Sequence, residues 1–475
     1  MTRTPRPNLP EIARRAIGRR SDWYLHRRPA SLPRFRASWL GSLVVAASVL
    51  VGWFAFAGAV DDDGGSVQYG LWVGSASIVL MAWSFVLALR PRSLERVFGG
   101  LDRMYRVHRW AGSLAVVAMF LHTQAEPEVE GGVRGAARSL ADSAEDLAGV
   151  GEILLYVLVG ISLLRWIPYR YWRWTHKFLG VPFAFASWHF FTAEKTYANN
   201  SPWGWWFGTI MVLGLVAYLL RVIGRDMLRP GVRYRVTGID RQGSTSEIRL
   251  APVNRPLRHE AGQFSVLKLR VPGLREPHVF TIASGPDEPE IRFFIRDLGD
   301  WTGAIQDADR QEAALRGAEA VIEGPYGHFR PRPATPGPTL WIAGGVGITP
   351  FLSSLSAADT SAAAEPPLLL YCVRDRRDAT ALPLLEHAAA EGRITLEVFE
   401  SSTGRRFSAE RLAELTTSLR GTHVAVCGPA SLVAAASSAA RTLGAPHIET
   451  ELFDIRGGFG PDLSRTFDEL ISPAG

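Results

Sequence analysis

Four histidines stand inside apolar, helix-length stretches of this 475-residue chain: His108 and His122, fourteen residues apart, and His176 and His189, thirteen apart. Along a helix either separation covers about 20 Å, so each pair sets one imidazole towards each face of a bilayer. Ionisable side chains are expensive at membrane depth and mark functional sites there. Imidazole is a ligand for haem iron, and one from each side leaves no open coordination position. The chemistry these residues suggest is electron transfer through two stacked haems. His108 and His176 would hold the inner one, His122 and His189 the outer.

Six apolar segments are available to carry them, at 37–60, 66–89, 104–125, 149–168, 174–193 and 202–222, the first two without any charge. Each is long enough to span the hydrocarbon layer. The connections alternate in charge. Residues 61–65 and 124–147 are acidic, whereas 90–106 carries five arginines, 165–177 carries Arg165, Arg170, Arg173 and Lys177, and 221–235 is again Arg-rich. That pattern predicts an integral protein of the cell membrane with both termini in the cytosol. Residues 1–36, with ten arginines against Glu11 and Asp22, read either as an interfacial helix on anionic lipid or as a basic tail.

Helix geometry refines this reading. Fourteen residues at about 100° each return to within about 40° of the start, so His108 and His122 share a face. Thirteen miss by about 140°, so the fifth segment must be distorted, and Pro182 lies within it. Arg106, Arg109, Arg170 and Arg173 are placed to hold inner-haem propionates, or serve only as cytosolic topology markers.

Composition narrows the alternatives. A net charge of +6 would suit nucleic acid, but the arginines cluster beside the apolar segments, which points to membrane topology. Two cysteines, Cys372 and Cys427, exclude a four-thiolate iron–sulfur cluster and covalent C-x-x-C-H haem attachment. Hydrophobic content of 47% averages two unlike halves, because from about residue 230 the texture is that of a soluble α/β protein.

Residues 231–335 alternate apolar and polar between Gly and Pro breaks, which predicts a small antiparallel barrel. Within it, His278, Val279, Phe280, Thr281 and Ser284, and then Gly299, Trp301 and Thr302, combine apolar surface for a flavin ring with donors for its pyrophosphate. Residues 338–475 begin by alternating strand and helix. Gly344, Gly345 and Gly347, followed by Thr349 and Pro350, form a turn that lets a phosphate approach a helix N-terminus, without the G-x-G-x-x-G spacing. Arg374 and Arg376 after the second strand, with Arg405 beyond, suit the 2′-phosphate of NADP, or are a solvated basic loop. Cys427, Gly428 and Pro429 end a further strand. There the thiol faces a nicotinamide or is a small core residue.

Taken in order, these residues resemble the NADPH oxidase and ferric reductase family over roughly residues 100–455. The resemblance rests on the histidine pairs, His278–Thr281, Gly-Asp-Trp-Thr at 299–302, Gly-Pro-Tyr-Gly from Gly324, the Gly-rich turn and Cys-Gly-Pro at 427–429. It implies a multi-domain protein: a six-helix transmembrane bis-haem bundle (37–224), an antiparallel β-barrel FAD domain (231–335) and a Rossmann-like, ferredoxin-reductase-type α/β NADPH domain (338–475). NADPH would donate hydride to FAD, and single electrons would cross to an extracytoplasmic acceptor. Dioxygen, giving superoxide, stands ahead of ferric chelate. Two departures stand out. Val279 occupies a position where the family usually has proline, and Phe453, the aromatic that would cover the flavin, precedes a further tail. A flavin reductase on a haem-free anchor is the competing enzymatic reading. A transporter with a histidine relay leaves the flavin and nucleotide motifs unexplained. Nothing calls for nucleic acid, and no protein partner follows from the sequence.

Overall fold

The computed structural model describes residues 39–451 apart from 58–65, 126–128, 130–131, 165–166, 168, 224–230, 308–312, 334–336 and 358–364. The basic segment 1–36 and the tail holding Phe453 lie outside the described residues.

The first half is helical: α1 (Leu40–Ala55), α2 (Ser66–Ala88), α3 (Arg92–Phe98), α4 (Leu101–Ala125), α5 (Arg138–Leu163), α6 (Tyr169–Lys177), α7 (Gly180–Thr192) and α8 (Pro202–Val222). Two short strands, β1 (Val133–Arg134) and β2 (Glu194–Lys195), pair antiparallel beside the ends of α5 and α7. Among the described residues three helices, Val67–Ala88, Arg138–Leu163 and Pro202–Val222, are long and apolar enough to cross a membrane, and Leu40–Ala55 is a shorter apolar one. Side chains such as Phe54, Val117, Ile153 and Leu213 point outwards from four different helices. So much exposed apolar surface suits lipid, not water.

Two of the six expected spans, the first and the fourth, differ from the sequence reading, the first being helical only over Leu40–Ala55 among the described residues. The fourth, expected at 149–168, begins at Arg138 and ends at Leu163, so part of the acidic connection before it is helical. The fifth is broken. Pro182 has no N–H to give the Phe178 carbonyl, and Val181 N takes that carbonyl instead at 2.9 Å. Gly180 lets Tyr218 of α8 lie against the break, since a Cβ there would sit 2.1 Å from Tyr218 Cζ. The Tyr218 hydroxyl donates to the Lys177 carbonyl at 2.8 Å, satisfying an orphan group at the end of α6.

The second half holds two sheets. The first comprises β3 (Val232–Gln242), β4 (Thr245–Pro252), β5 (Phe264–Leu269), β6 (His278–Thr281), β7 (Ile291–Arg296) and β8 (Glu319–Tyr326), with the short helix α9 (Asp300–Gln306) between β7 and β8. It is antiparallel throughout, in the order β6-β5-β8-β3-β4-β7. It curls until its edges meet, because Ala283 N, just past β6, donates to Arg292 O on β7 at 2.9 Å.

The second sheet comprises β9 (Thr339–Gly344), β10 (Leu368–Val373), β11 (Thr395–Glu400), β12 (His423–Cys427) and β13 (His447–Glu451), connected through α10 (Thr349–Ser356), α11 (Leu382–Ala390), α12 (Ala409–Leu415) and α13 (Ala430–Thr442). It is wholly parallel, in the order β11-β10-β9-β12-β13. Alternate residues enter opposite cores: Trp341, Leu369, Tyr371 and Ala425 on one face, Leu340, Ile342, Leu370 and Val424 on the other. Burial on both faces is what a parallel sheet requires.

Candidate redox sites

The histidine site is organised by α2, an uncharged helix packed along α4. His108 Nδ1 lies 2.9 Å from the Ser84 carbonyl, and His122 Nδ1 lies 2.8 Å from the Gly70 carbonyl. Ser77, midway, donates to the Ala115 carbonyl at 2.8 Å. These contacts recur every seven residues along both helices, the repeat that keeps one seam facing its partner. Gly74 makes room for the outer ring, since a Cβ there would come within 2.7 Å of His122 Nδ1.

Opposite α4, the break after α6 separates the other two histidines onto different helices. His176 stacks on Trp172 at 4.9 Å, and its Nδ1 lies 2.9 Å from the Ser162 hydroxyl. The rings of His108 and His176 face each other with centroids 6.1 Å apart at 69°. Two imidazoles bound to one metal through bonds of about 2 Å would have centroids about 6 Å apart. With Nδ1 engaged on both rings, Nε2 is the nitrogen left for a metal, the usual arrangement for a ligating histidine. His189 Nδ1 is buried without a hydrogen-bond partner among the described residues. These residues fit axial ligation of haem. Ser84, Gly70, Gly74 and Ser162 escaped the sequence reading. Their signal was small or polar residues in spans where lipid asks only for bulk.

Of the expected propionate arginines, Arg173 lies 3.4 Å from Glu276 and the side chain of Arg170 is outside the described residues. Arg106 and Arg109 both make contacts within the fold. On the other side, Arg134 pairs with Glu194 at 2.9 Å. Lys195 is 3% exposed and donates to the carbonyls of Phe190 (2.6 Å) and Ala193 (3.1 Å).

In the antiparallel sheet, the two stretches singled out for flavin come together. His278 stacks on Trp301 at 4.1 Å, and Phe280 stacks on the same indole at 5.8 Å. Burial, with help from Arg173, holds His278 down to about 4, so its ring is neutral near pH 7. His278 Nε2 and Trp301 Nε1 are buried without partners among the described residues, which suits the polar edge of a planar ligand. Val279 packs towards the membrane helices, in one apolar cluster with Phe98 and Leu101. Thr302 is spent locally, accepting from Leu298 N and donating to the Gly299 carbonyl, both at 2.9 Å. Ser284 joins the two sheets: its hydroxyl accepts from Arg292 N at 3.2 Å, and its carbonyl accepts from Ser353 of α10 at 2.7 Å. Gly324 precedes a cis peptide to Pro325 and has φ of +142°.

In the parallel sheet, β9 and β12 are neighbours, and the connections leave them in opposite directions. Ligands of such sheets bind outside the carboxyl ends of the strands at this switch point. Gly344, Gly345 and Gly347 end β9, while Cys427, Gly428 and Pro429 end β12. The glycines are required by closeness. A Cβ on Gly347 would lie 2.5 Å from the Cys427 carbonyl oxygen, and one on Gly344 would lie 2.7 Å from Pro429 Cδ. Tyr371 of β10 holds the turn by donating to the Gly345 carbonyl at 3.2 Å. Thr349 and Pro350 form the first turn of α10, with the Thr349 hydroxyl donating to the Val346 carbonyl at 3.0 Å. Cys427 is fully buried and its thiol is pushed well up by burial, with Glu451 adding to it, so it is not a thiolate nucleophile. Arg374 lies beside the 401–405 loop, its carbonyl accepting from Ser402 N at 2.9 Å. Arg376 pairs with Glu386 and Arg405 with Glu397.

Comparison with known proteins agrees with this division. The family described as "Ferric reductase like transmembrane component" matches residues 73–187, an FAD-binding domain matches 239–330, and an oxidoreductase NAD-binding domain matches 341–438. Ferredoxin--NADP reductase B of Sorangium cellulosum is 32% identical over 213 residues, 41% of this chain and 85% of that protein. A probable cell surface ferric reductase, kap2, of Aspergillus oryzae is 22% identical over 318 residues, so 61% of this chain spans 41% of that longer protein. The structure of the Amycolatopsis cytochrome P450 reductase GcoB is 25% identical with a TM-score of 0.40, over 47% of this chain and 69% of that one. The chain belongs to the NADPH oxidase and ferric reductase family. It is an NAD(P)H-dependent, FAD-binding oxidoreductase with a helical membrane component.

Proposed function

We propose that the protein moves electrons from cytosolic NADPH, through FAD and two b-type haems, to an acceptor across the membrane, with dioxygen ahead of ferric chelate. On this reading residues 37–224 form the bis-haem domain, 231–335 the FAD domain and 338–475 the NADPH domain, and both termini are cytosolic. The observation that carries the reading is the His108–His176 pair, two imidazoles 6.1 Å apart whose Nδ1 atoms are both engaged by neighbours. His122 and His189 hold the outer haem.

A flavin would be held along His278, Phe280 and Trp301. A nicotinamide would be held between the Gly344–Gly345 and Gly428–Pro429 turns, with the buried Cys427 packed beneath them. Arg374, Arg376 and Arg405 favour the 2′-phosphate. When bound, FAD would turn the paired electrons of a hydride into single electrons, and haem held by His108, His176, His122 and His189 would supply one-electron carriers for them. The chain's part is to hold the groups in line, exclude water from the histidine core and keep His278 neutral.

Purified protein should give a b-type reduced-minus-oxidised spectrum and oxidise NADPH aerobically, with a superoxide signal that superoxide dismutase abolishes. Anaerobic ferric chelate tests the second acceptor. A flavoprotein without a haem spectrum that reduced only soluble dyes would overturn the reading in favour of a haem-free anchor.

A further inference from the structure

The strongest feature outside the three sites is a buried polar junction between the end of α2 and strand β8. Arg90 follows α2 with φ of +54°, a left-handed conformation that a non-glycine residue keeps only where its surroundings hold it. Its side chain is 5% exposed, and Nη2 lies 3.4 Å from Glu323 Oε1 on β8. The Tyr326 hydroxyl donates to the same oxygen at 2.8 Å, and the guanidinium sits 5.9 Å from the Tyr326 ring centroid. One turn on, Glu95 of α3 accepts from the backbone N–H of Gly327 at 3.0 Å, also buried. Apolar residues close the same junction, because Phe98, Leu101 and Met104 share one core with Val266 and Tyr326.

Both ends of this junction lead to a cofactor site. Six residues before Arg90, in the last turns of α2, the Ser84 carbonyl lies against His108 Nδ1. Across the sheet, Tyr326 pairs in register with Phe264, and Phe264 pairs with Thr281, at the end of the flavin stretch. Buried charges are expensive unless fully paired, and breaking one pair strands the other partner. We infer that Arg90, Glu95 and Glu323 are positioning residues that lock the flavin sheet to the end of α2, fixing the separation between the flavin and the inner histidine pair. This rests on the electron path proposed above.

The test uses full-length protein carrying Arg90→Met, Glu323→Gln or Glu95→Leu. The control is Glu319→Gln, on the same strand but in a surface pair with Arg270. Two steps are timed after mixing with NADPH: bleaching of the flavin and the rise of reduced haem. The junction variants should bleach within about twofold of wild type while haem reduction slows about tenfold or more, the scale of a small misplacement of reacting groups. The amides of 319–328 should exchange about tenfold faster in Arg90→Met and Glu95→Leu and remain unchanged in the control. Should Arg90→Met lose flavin or haem, the near-isosteric Glu323→Gln decides. Wild-type haem reduction and wild-type amide exchange in the junction variants would overturn the inference. Absence of haem from the wild type would instead remove the electron path, and exchange at 319–328 alone would then decide whether the junction holds the sheet.

Discussion

At the scale of single residues, the histidines divide by layer. His108→Ala and His176→Ala should each remove one of two haems, and so about half the reduced-minus-oxidised signal, leaving the same outer spectrum. His122→Ala and His189→Ala should leave the inner one, whereas His259→Ala, which removes a ring bonded to the Ser284 carbonyl, should keep both. Gly74→Ala is expected to lower only the outer haem, because its methyl would press on the His122 ring. His278 sets a pH dependence. Its folded pKa of about 4 lies below the ordinary 6.5, so the unfolded chain binds a proton that the folded one refuses. Stability of the antiparallel sheet should therefore fall as pH drops from 6.5 to about 4 and level off below. The loss should be about 1–2 kcal/mol after allowing for partial exposure. Denaturant midpoints at the two ends of that window check it, and His278→Gln should flatten the difference.

At the scale of elements, legibility in the sequence followed how completely the surroundings dictate residue type. The runs read at 66–89 and 202–222 match α2 and α8 to within a residue, since lipid and bundle core both ask for apolar side chains all round. The start of α5 was missed because Asp142, Glu145 and Asp146 look like loop, although they lie in helix projecting beyond the apolar run. The break between α6 and α7 was foreseen from the thirteen-residue spacing and Pro182, but its partner, Tyr218, lies in another helix that the spacing does not mention. The glycines of the nucleotide turn were read as phosphate clearance, whereas Gly347 also keeps β9 and β12 in contact. Gly347→Ala would force its Cβ against the Cys427 carbonyl, costing about 2 kcal/mol. KM for NADPH should rise at least about tenfold, one such factor per about 1.4 kcal/mol of lost binding, with haem content unchanged. Arg374→Ala combined with Arg405→Ala should raise KM for NADPH more than for NADH. Equal effects on both would remove the 2′-phosphate role.

At the scale of the whole molecule, charge that the sequence presents as topology turns out to be structure. Arg90, read as one of five cytosolic markers, is buried against Glu323. Such pairing joins residues more than 200 positions apart, and no local pattern announces it. The end of the bundle beside β1 and β2 tells a similar story, because Arg134 and Lys195 are committed to Glu194 and to backbone carbonyls. On the electron path proposed above, a small neutral acceptor would suit that end better than an anionic chelate, and dioxygen should outcompete ferric citrate for electrons at equal concentration. Stopped-flow reoxidation of the reduced protein measures this directly, and faster reoxidation by the chelate would reverse the preference.

The seven-residue recurrence along α2 has a consequence for how this chain can change length. A residue inserted anywhere between Gly70 and Ser84 rotates one carbonyl by about 100° relative to the other, so one imidazole loses its acceptor whichever way the helix settles. Seven added residues would restore the phase but lengthen the helix by about 10 Å, a third of the hydrocarbon thickness. The second helix thus works as a fixed gauge: loops can drift, but the count from Gly70 to Ser84 cannot.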